Sequence, residues 1–490
     1  MKRFLEIIPG ALVWSTFAAA ILLSFFRPLW AIYFVIVFDL LWLFRVLYFV
    51  TFLLISWTRF RQTRKVDWFG KLAAEIPDWR AYHHLIFLPT YREPLPVIRD
   101  SLTSISASAY QLENIIIVLA GEERDREQFL SHARAVEAEF GQRFKRILVT
   151  VHPANLPDEI PGKGSNLHYA GGRAKELIDQ LGLPYEKVIV SSLDIDTIVH
   201  PQYFAYLTYT YCRHPQPTRT SYQPVTLYSN NIWDAPAPVR IAAFGTTFWL
   251  MTELARPERL FTFSSHSMSF RMLTDVGFWE KDIVSEDSRI FLQGFFRYRG
   301  NYTVTPLSLP VSMDTVQGAT YWRSLGALYR QQRRWAWGVE HFPYMARRFR
   351  QDPTIPLRLK IKYLWNHLEG MYTWATAPIL IFFLGWLPLL VASFGGGSSL
   401  LVQNAPLTLE WLMRLAMIGV LASGIVSLTL LPPCPPHRHR LVWLVMLLQW
   451  ALLPITFVIF GALPAIDAQT RLMFGRSLGF NVTAKQRKSG

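Results

Sequence analysis

From Pro9 to Phe26 the chain carries no charged residue, and after the Arg27-Pro28 break it stays apolar from Leu29 to Trp57 except at Asp39 and Arg45. At about 1.5 Å per residue each run is long enough for a helix crossing about 30 Å of hydrocarbon. Gly370 to Phe394 and Leu441 to Ala465 are also uncharged, and Trp411 to Leu431 contains only Arg414. Two apolar segments therefore precede a polar middle and three follow it. Within that middle, from about Asp67 to Phe342, short apolar runs alternate with amphipathic stretches: His84 to Leu88, Asn114 to Leu119, Arg146 to Val151 and Lys187 to Leu193. Continuous apolar strands separated by helical lengths predict a parallel sheet covered on both faces. Ligands of such sheets gather at the carboxyl ends of the strands, so chemistry is sought there.

Composition agrees with a membrane protein bearing one soluble domain, since 51% of the 490 residues are hydrophobic and 17% charged. The opening MKRFLEIIPGALVWSTFAAA has the basic start and small residues of a leader, but the apolar run continues past them and a second follows at once. Lys2 and Arg3 lie before the first segment and Arg59, Arg61, Arg64 and Lys65 after the second, which places both sides and the polar middle in the cytoplasm. The tail (Arg471, Arg476, Lys485, Arg487, Lys488) is basic and so also reads as cytoplasmic, whereas three full crossings after the middle would leave it outside. Pro454 and Pro464 in the fifth segment offer a resolution: a segment that dips and returns, or lies in the interface, rather than crossing. The net charge of +15 is explained by these juxtamembrane residues meeting anionic lipid, and no nucleic-acid motif accompanies it. Cys212 and Cys434 provide neither a disulfide framework nor metal-site spacing.

Several short motifs carry candidate chemistry, one of them at a predicted strand end. Asp194-Ile195-Asp196 follows the fourth strand, where two carboxylates can reach one hard divalent cation; a solvated loop is the plainer reading. Gly162-Lys163-Gly164 suits close approach to a phosphate, or simply starts a helix. Ser285-Glu286-Asp287 can cap a helix, with Ser285 as N-cap, or supply a general base to a sugar hydroxyl. Gln331, Arg334 and Trp335 share one helical face, fit either for pyrophosphate and sugar or for lipid headgroups.

In order, Thr90-Tyr91-Arg92-Glu93, Lys163-Gly164, Asp194-x-Asp196, Gln223-Pro224, Glu286-Asp287 and Gln331-x-x-Arg334-Trp335 resemble the membrane-embedded family 2 glycosyltransferases, the group of bacterial cellulose, chitin and hyaluronan synthases. The resemblance implies an α/β GT-A (Rossmann-like) cytosolic domain plus α-helical transmembrane segments. It further implies a nucleotide-sugar donor, with uracil the expected base, an inverting single displacement and Mg²⁺ or Mn²⁺ held by Asp194 and Asp196. Asp287 becomes the catalytic base. Thr90, Tyr91, Glu93, Glu122, Lys163 and Asp194 surround the donor nucleotide, and Gln331, Arg334, Trp335 and Glu286 the acceptor and diphosphate. His266 stands where relatives contact the acceptor. Phe480-x-Val482-Thr483-x-Lys485 resembles a gating loop over the donor, which competes with reading Asn481-Val482-Thr483 as a glycosylation sequon.

Two departures qualify the resemblance. The expected Asp-Asp pair after the second strand is replaced by Glu122-Glu123, and the chain ends five residues after Lys485, which argues against a self-contained secretion channel. The predicted organisation is two N-terminal transmembrane helices (1–58), the glycosyltransferase domain (59–317), interfacial helices (318–365), transmembrane and re-entrant or interfacial segments (366–466), and an interfacial helix with the gating-like tail (467–490). Extension of a polysaccharide at the inner, cytoplasmic membrane is the leading expectation, and transfer of one sugar to a lipid or polyprenyl phosphate the alternative. Expected partners are the nucleotide sugar, a glycan or lipid acceptor, the bilayer, and an export partner or second copy of the chain, with no nucleic acid.

Overall fold

The computed structural model describes residues 2–394, 400–436, 438–439 and 441–478. Its centre is one eight-stranded sheet built from β1 (His83–Pro89), β2 (Ile115–Glu122), β3 (Arg146–His152), β4 (Val188–Ser192), β5 (Ile198–Val199), β6 (Thr220–Tyr228), β7 (His266–Ser269) and β8 (Thr303–Met313), in the order β3-β2-β1-β4-β7-β6-β8-β5. The four strands legible in the hydrophobic pattern are β1 to β4, and they pair in parallel. Alternate residues enter opposite layers: Leu85, Phe87, Ile116 and Val118 pack with Leu167, Ala170 and Ala174 of the helix Lys163–Gln180. Ile86, Leu88, Ile117 and Leu119 pack instead with Ile98, Phe129 and Val136 of the helices Leu95–Ser106 and Arg126–Phe140. Burial on both faces is what a parallel sheet flanked by crossover helices requires.

Beyond β4 the sheet is mixed: β6 and β8 pair in parallel, but the parallel expectation fails elsewhere. β7 runs antiparallel to both β4 and β6, and β5 antiparallel to β8. The sequence of β7, His266-Ser-Met-Ser269, has no apolar run to reveal it as a central strand. Its polar side chains find partners outside the strand, with Ser267 Oγ 2.8 Å from Ser191 Oγ of β4 and Ser269 Oγ accepting from the Tyr211 hydroxyl at 3.1 Å.

Among the described residues five helices are long and apolar enough to cross a membrane: Lys2–Phe26, Pro28–Thr63, Leu357–Phe394, Gln403–Leu430 and Val442–Met473. In the last of these the prolines do not end the helical path. Pro454 and Pro464 fall in the first turns of Leu453–Phe457 and Leu463–Met473, where a missing N–H costs little, and turns of altered pitch carry the chain through. A reversal within this segment is therefore absent. Near its start Gln449 accepts a 2.7 Å bond from Arg240 Nε of the helix Ala237–Leu254, and Trp450 stacks on Phe248 of that helix. Near its end Asp467 receives Arg333 Nη1 at 2.8 Å, and Arg3 donates to the Leu472 and Met473 carbonyls. Both ends of the fifth segment thus lie against the α/β domain or the basic start of the chain.

Candidate active site

The carboxyl ends of β1, β2 and β4 open on one cleft. Where β4 ends, the chain turns through Asp194 and Asp196; Lys163 begins the helix that covers one face of the sheet, and Glu286-Asp287 begin the helix Glu286–Arg297 beside it. Lys163 Nζ joins all three segments: it lies 2.7 Å from Asp194 Oδ1, 2.8 and 2.9 Å from the Asp287 carboxylate oxygens, and 3.7 Å from Glu286. Burial alone would discharge this ammonium, but Asp194, Asp287 and Glu286 outweigh it and hold the charge well above the ordinary lysine range. Gly164 permits the approach, because a Cβ there would stand 2.9 Å from the Glu280 carbonyl oxygen and 3.3 Å from Glu286 Cβ. Both readings of Gly162-Lys163-Gly164 therefore hold: it starts a helix and brings an ammonium into the cleft.

Each carboxylate is also held from elsewhere. Asp194 Oδ2 accepts the Ser264 hydroxyl at 2.6 Å, and the fully buried Asp196 accepts the Asp314 N–H at 2.8 Å. Gln223 fixes the segment carrying Ser264, accepting from the Phe263 N–H at 2.7 Å. Thr262 donates to the Asp287 carbonyl at 2.6 Å. His266 Nδ1 lies 2.8 Å from the Phe263 carbonyl and 3.8 Å from Asp287, and burial, only partly offset by Asp287, keeps the ring below its usual pKa. Glu286 is buried, and that burial, followed by the Asp287 charge, pushes its carboxyl up to about 7 against the pull of Lys163 and Arg334. Ser285 occupies the N-cap position, yet its hydroxyl caps nothing and donates instead to Glu340 at 2.8 Å. The capping expectation for Ser285 is thereby corrected.

The helix Tyr321–Ala336 delivers the last group to this cleft. The Trp335 ring lies 5.8 Å from that of Tyr228, and Arg334 is near enough for its charge to act on both Tyr228 and Glu286. Gln331 is buried about one turn earlier. Tyr228 was not foreseen, although it ends β6 and the strand-end rule that located Asp194 applies to it equally. Burial and then Asp194, Asp196 and Asp287 push its hydroxyl well above the ordinary tyrosine range, which places it over the acidic cluster.

A second group sits at the ends of β1 and β2. The Thr90 N–H donates to the Ala120 carbonyl, as does Asn166 Nδ2 from the Lys163 helix, both at 2.8 Å. The Tyr91 N–H donates to Glu93 at 2.5 Å, and the buried Glu122 receives Arg124 Nε at 2.8 Å. Arg124 lies 4.6 Å above the Tyr91 ring. These side chains form a shelf at the ends of β1 and β2, which Asn166 ties to the helix that begins at Lys163. Phe480, Val482, Thr483 and Lys485 lie outside the described residues.

Residues 189–466, more than half of the chain, match the family described as glycosyl transferase family group 2. The chain belongs to this family. It is a glycosyltransferase, and its sheet with flanking helices and apolar helical segments is the expected GT-A class with helical membrane segments. No curated protein sequence matches it. Solved structures similar to this glycosyltransferase include the mannosyltransferase PcManGT from Pyrobaculum calidifontis with GDP-Man and Mn²⁺, at 15% identity and TM-score 0.44 over 78% of this chain and 99% of that one. Another is S. aureus TarS 1–349 with UDP-GlcNAc, at 12% identity and TM-score 0.39 over 71% and 91% of the respective chains. A third is glucosyl-3-phosphoglycerate synthase from Mycobacterium tuberculosis, at 14% identity and TM-score 0.32 over 57% and 82%.

Proposed function

We propose that this glycosyltransferase takes a sugar from a nucleoside-diphosphate donor, with uridine diphosphate the expected carrier, and transfers it with inversion to a hydroxyl of a growing polysaccharide at the cytoplasmic membrane face. The observation that carries the reading is the convergence of Asp194, Asp287 and Lys163 in one cleft. In this reading Asp287 removes the proton of the acceptor hydroxyl, and that oxygen attacks the anomeric carbon as the bond to the diphosphate breaks. A single displacement needs one base and one stabilised leaving group, with no covalent intermediate. Lys163 and Arg334 supply positive charge toward the diphosphate, Trp335 and Tyr228 offer aromatic faces to the acceptor sugar, and the Tyr91–Glu122–Arg124 shelf receives the base. Gln331 and Glu286 line the same cleft, with Thr90 and Glu93 shaping the shelf.

The donor set fits a divalent cation, Mg²⁺ or Mn²⁺. Asp194, whose side chain is 27% exposed, and Asp196 would hold it through hard carboxylate oxygens, beside Asp287. Bound there, the metal would neutralise charge on the departing diphosphate.

The cytoplasmic location rests on the basic residues flanking the first two segments and on the fifth segment, whose ends both meet the α/β domain or Arg3. Four crossings and one run along the interface return the tail to the catalytic side. Incubating membranes with labelled nucleotide sugars and sizing the product tests the function. A polymer supports the proposal; a single sugar on lipid would replace it with lipid glycosylation. Asp287→Asn is expected to lower turnover about 10²–10⁴-fold while nucleotide binding persists.

A further inference from the structure

The helix that carries Glu286 and Asp287 is fastened to the segment just beyond Trp335 by Glu340 and His341, which belong to none of the motifs above. Glu340 accepts the Ser285 hydroxyl at 2.8 Å and is also bonded by the Trp337 side chain. The next residue, His341, is buried, with Nε2 2.7 Å from Ser288 Oγ. Arg289 Nε donates to His341 Nδ1 at 3.3 Å, so the ring proton is on Nε2 and the histidine donates to Ser288, whose own hydroxyl continues to the Ser285 carbonyl at 3.2 Å. Arg289 is anchored in turn by Glu280 at 2.6 Å and lies 3.7 Å over the Tyr344 ring. Glu340 and His341 therefore grip the residues immediately before and after the acidic pair.

A second chain of contacts reaches Asp287 itself. Thr262 holds the Asp287 carbonyl, Phe261 beside it stacks on His367 at 6.0 Å and 6°, and His367 Nε2 is 3.1 Å from the Gly338 carbonyl. Gly338 and Glu340 belong to the single turn Trp337–Glu340 that directly follows the helix of Arg334 and Trp335. One short turn is thus linked to Asp287 by two routes, through Ser285 and through His367, Phe261 and Thr262.

We propose that Glu340 and His341 are positioning residues, which set the first turn of the Glu286–Arg297 helix so that Asp287 meets an acceptor lying on Trp335. This deepens the proposed function and rests on its assignment of Asp287 as the base. A base misplaced by about 1 Å loses on the order of 10²-fold in rate without losing donor affinity. Because the nucleotide shelf lies on other elements, the defect is confined to turnover.

The test is steady-state transfer by the purified full-length enzyme. Glu340→Ala is expected to lower kcat about 10- to 100-fold with the donor KM changed less than about threefold, and Glu340→Gln, which keeps an acceptor oxygen for Ser285, to recover most of it. Ser285→Ala removes the same bond from the other end and is expected to lower kcat with the donor KM likewise little changed, the double variant being no worse than Glu340→Ala. Wild-type kcat in Glu340→Ala or Ser285→Ala, or a Gln variant no better than Ala, would overturn the inference. Full turnover by Asp287→Asn would instead remove the base assignment itself, so the two failures are distinguishable.

Discussion

The Lys163 ammonium lies 2.8 and 2.9 Å from the two carboxylate oxygens of Asp287, a residue 124 positions further along the chain. The same nitrogen bonds Asp194, so one cation sits between the carboxylate proposed as base and one proposed to face the metal. Lys163→Met keeps most of the length of the side chain and removes its charge, leaving Asp194, Glu286 and Asp287 to repel one another. We expect a loss of folding stability on the order of 3 kcal/mol and weaker donor binding, measured by thermal unfolding in detergent and by nucleotide titration. Unchanged values for both would remove Lys163 from this role.

Gly164 is where the Lys163 helix meets the loop before Glu286. An added methyl would press on the Glu280 carbonyl at 2.9 Å, a backbone atom that cannot swing aside. Gly164→Ala should therefore separate Lys163 from Asp287 and reduce transfer about 10²-fold, whereas Gly172→Ala, which meets nothing within 4 Å, should leave transfer unaltered. Rates of the two variants on the same donor check this.

Glu286 gives the stability a pH dependence. Its folded pKa of about 7 exceeds the ordinary 4.5, so between these values the folded state binds more protons than the unfolded one, and stability falls as pH rises. Glu286→Gln cannot ionise and should lose that slope. It should match the wild type near pH 5 and exceed it near pH 8 by up to about 3 kcal/mol, as read from unfolding curves across that range.

The side of the membrane occupied by the tail is open to direct labelling. A cysteine introduced at Ser489 should resist a membrane-impermeant thiol reagent applied to intact cells and react after permeabilisation. Efficient labelling from outside would put the tail on the opposite face from the proposed catalytic domain and exclude Phe480 to Lys485 from the donor site.

Much of the architecture was legible because its causes are local. A strand buried on both faces must be continuously apolar, and β1 to β4 announce themselves in that way, as do helices that face lipid. β7 did not, because Ser267 is satisfied by Ser191 of β4, Ser269 by the Tyr211 hydroxyl and His266 Nδ1 by the Phe263 carbonyl, partners invisible until the packing is known. The fifth apolar segment was also only half legible. Its prolines were visible, but their first-turn positions were not, so the helix they were expected to break continues.

In the site, strand-end position nominated Asp194 and Asp196, and residue type together with the ordered family resemblance nominated Lys163, Asp287, Arg334 and Trp335, since hard oxygen donors, cations and aromatic faces are fixed by covalent structure. Sequence could not say that Lys163 binds Asp194 and Asp287 together, that Tyr228 overlooks the same carboxylates, or that Ser285 turns from its helix to Glu340. Those pairings depend on distances between segments far apart in the chain. Only the packing of two helices and a sheet edge, permitted by a missing Cβ at Gly164, brings them within hydrogen-bond range.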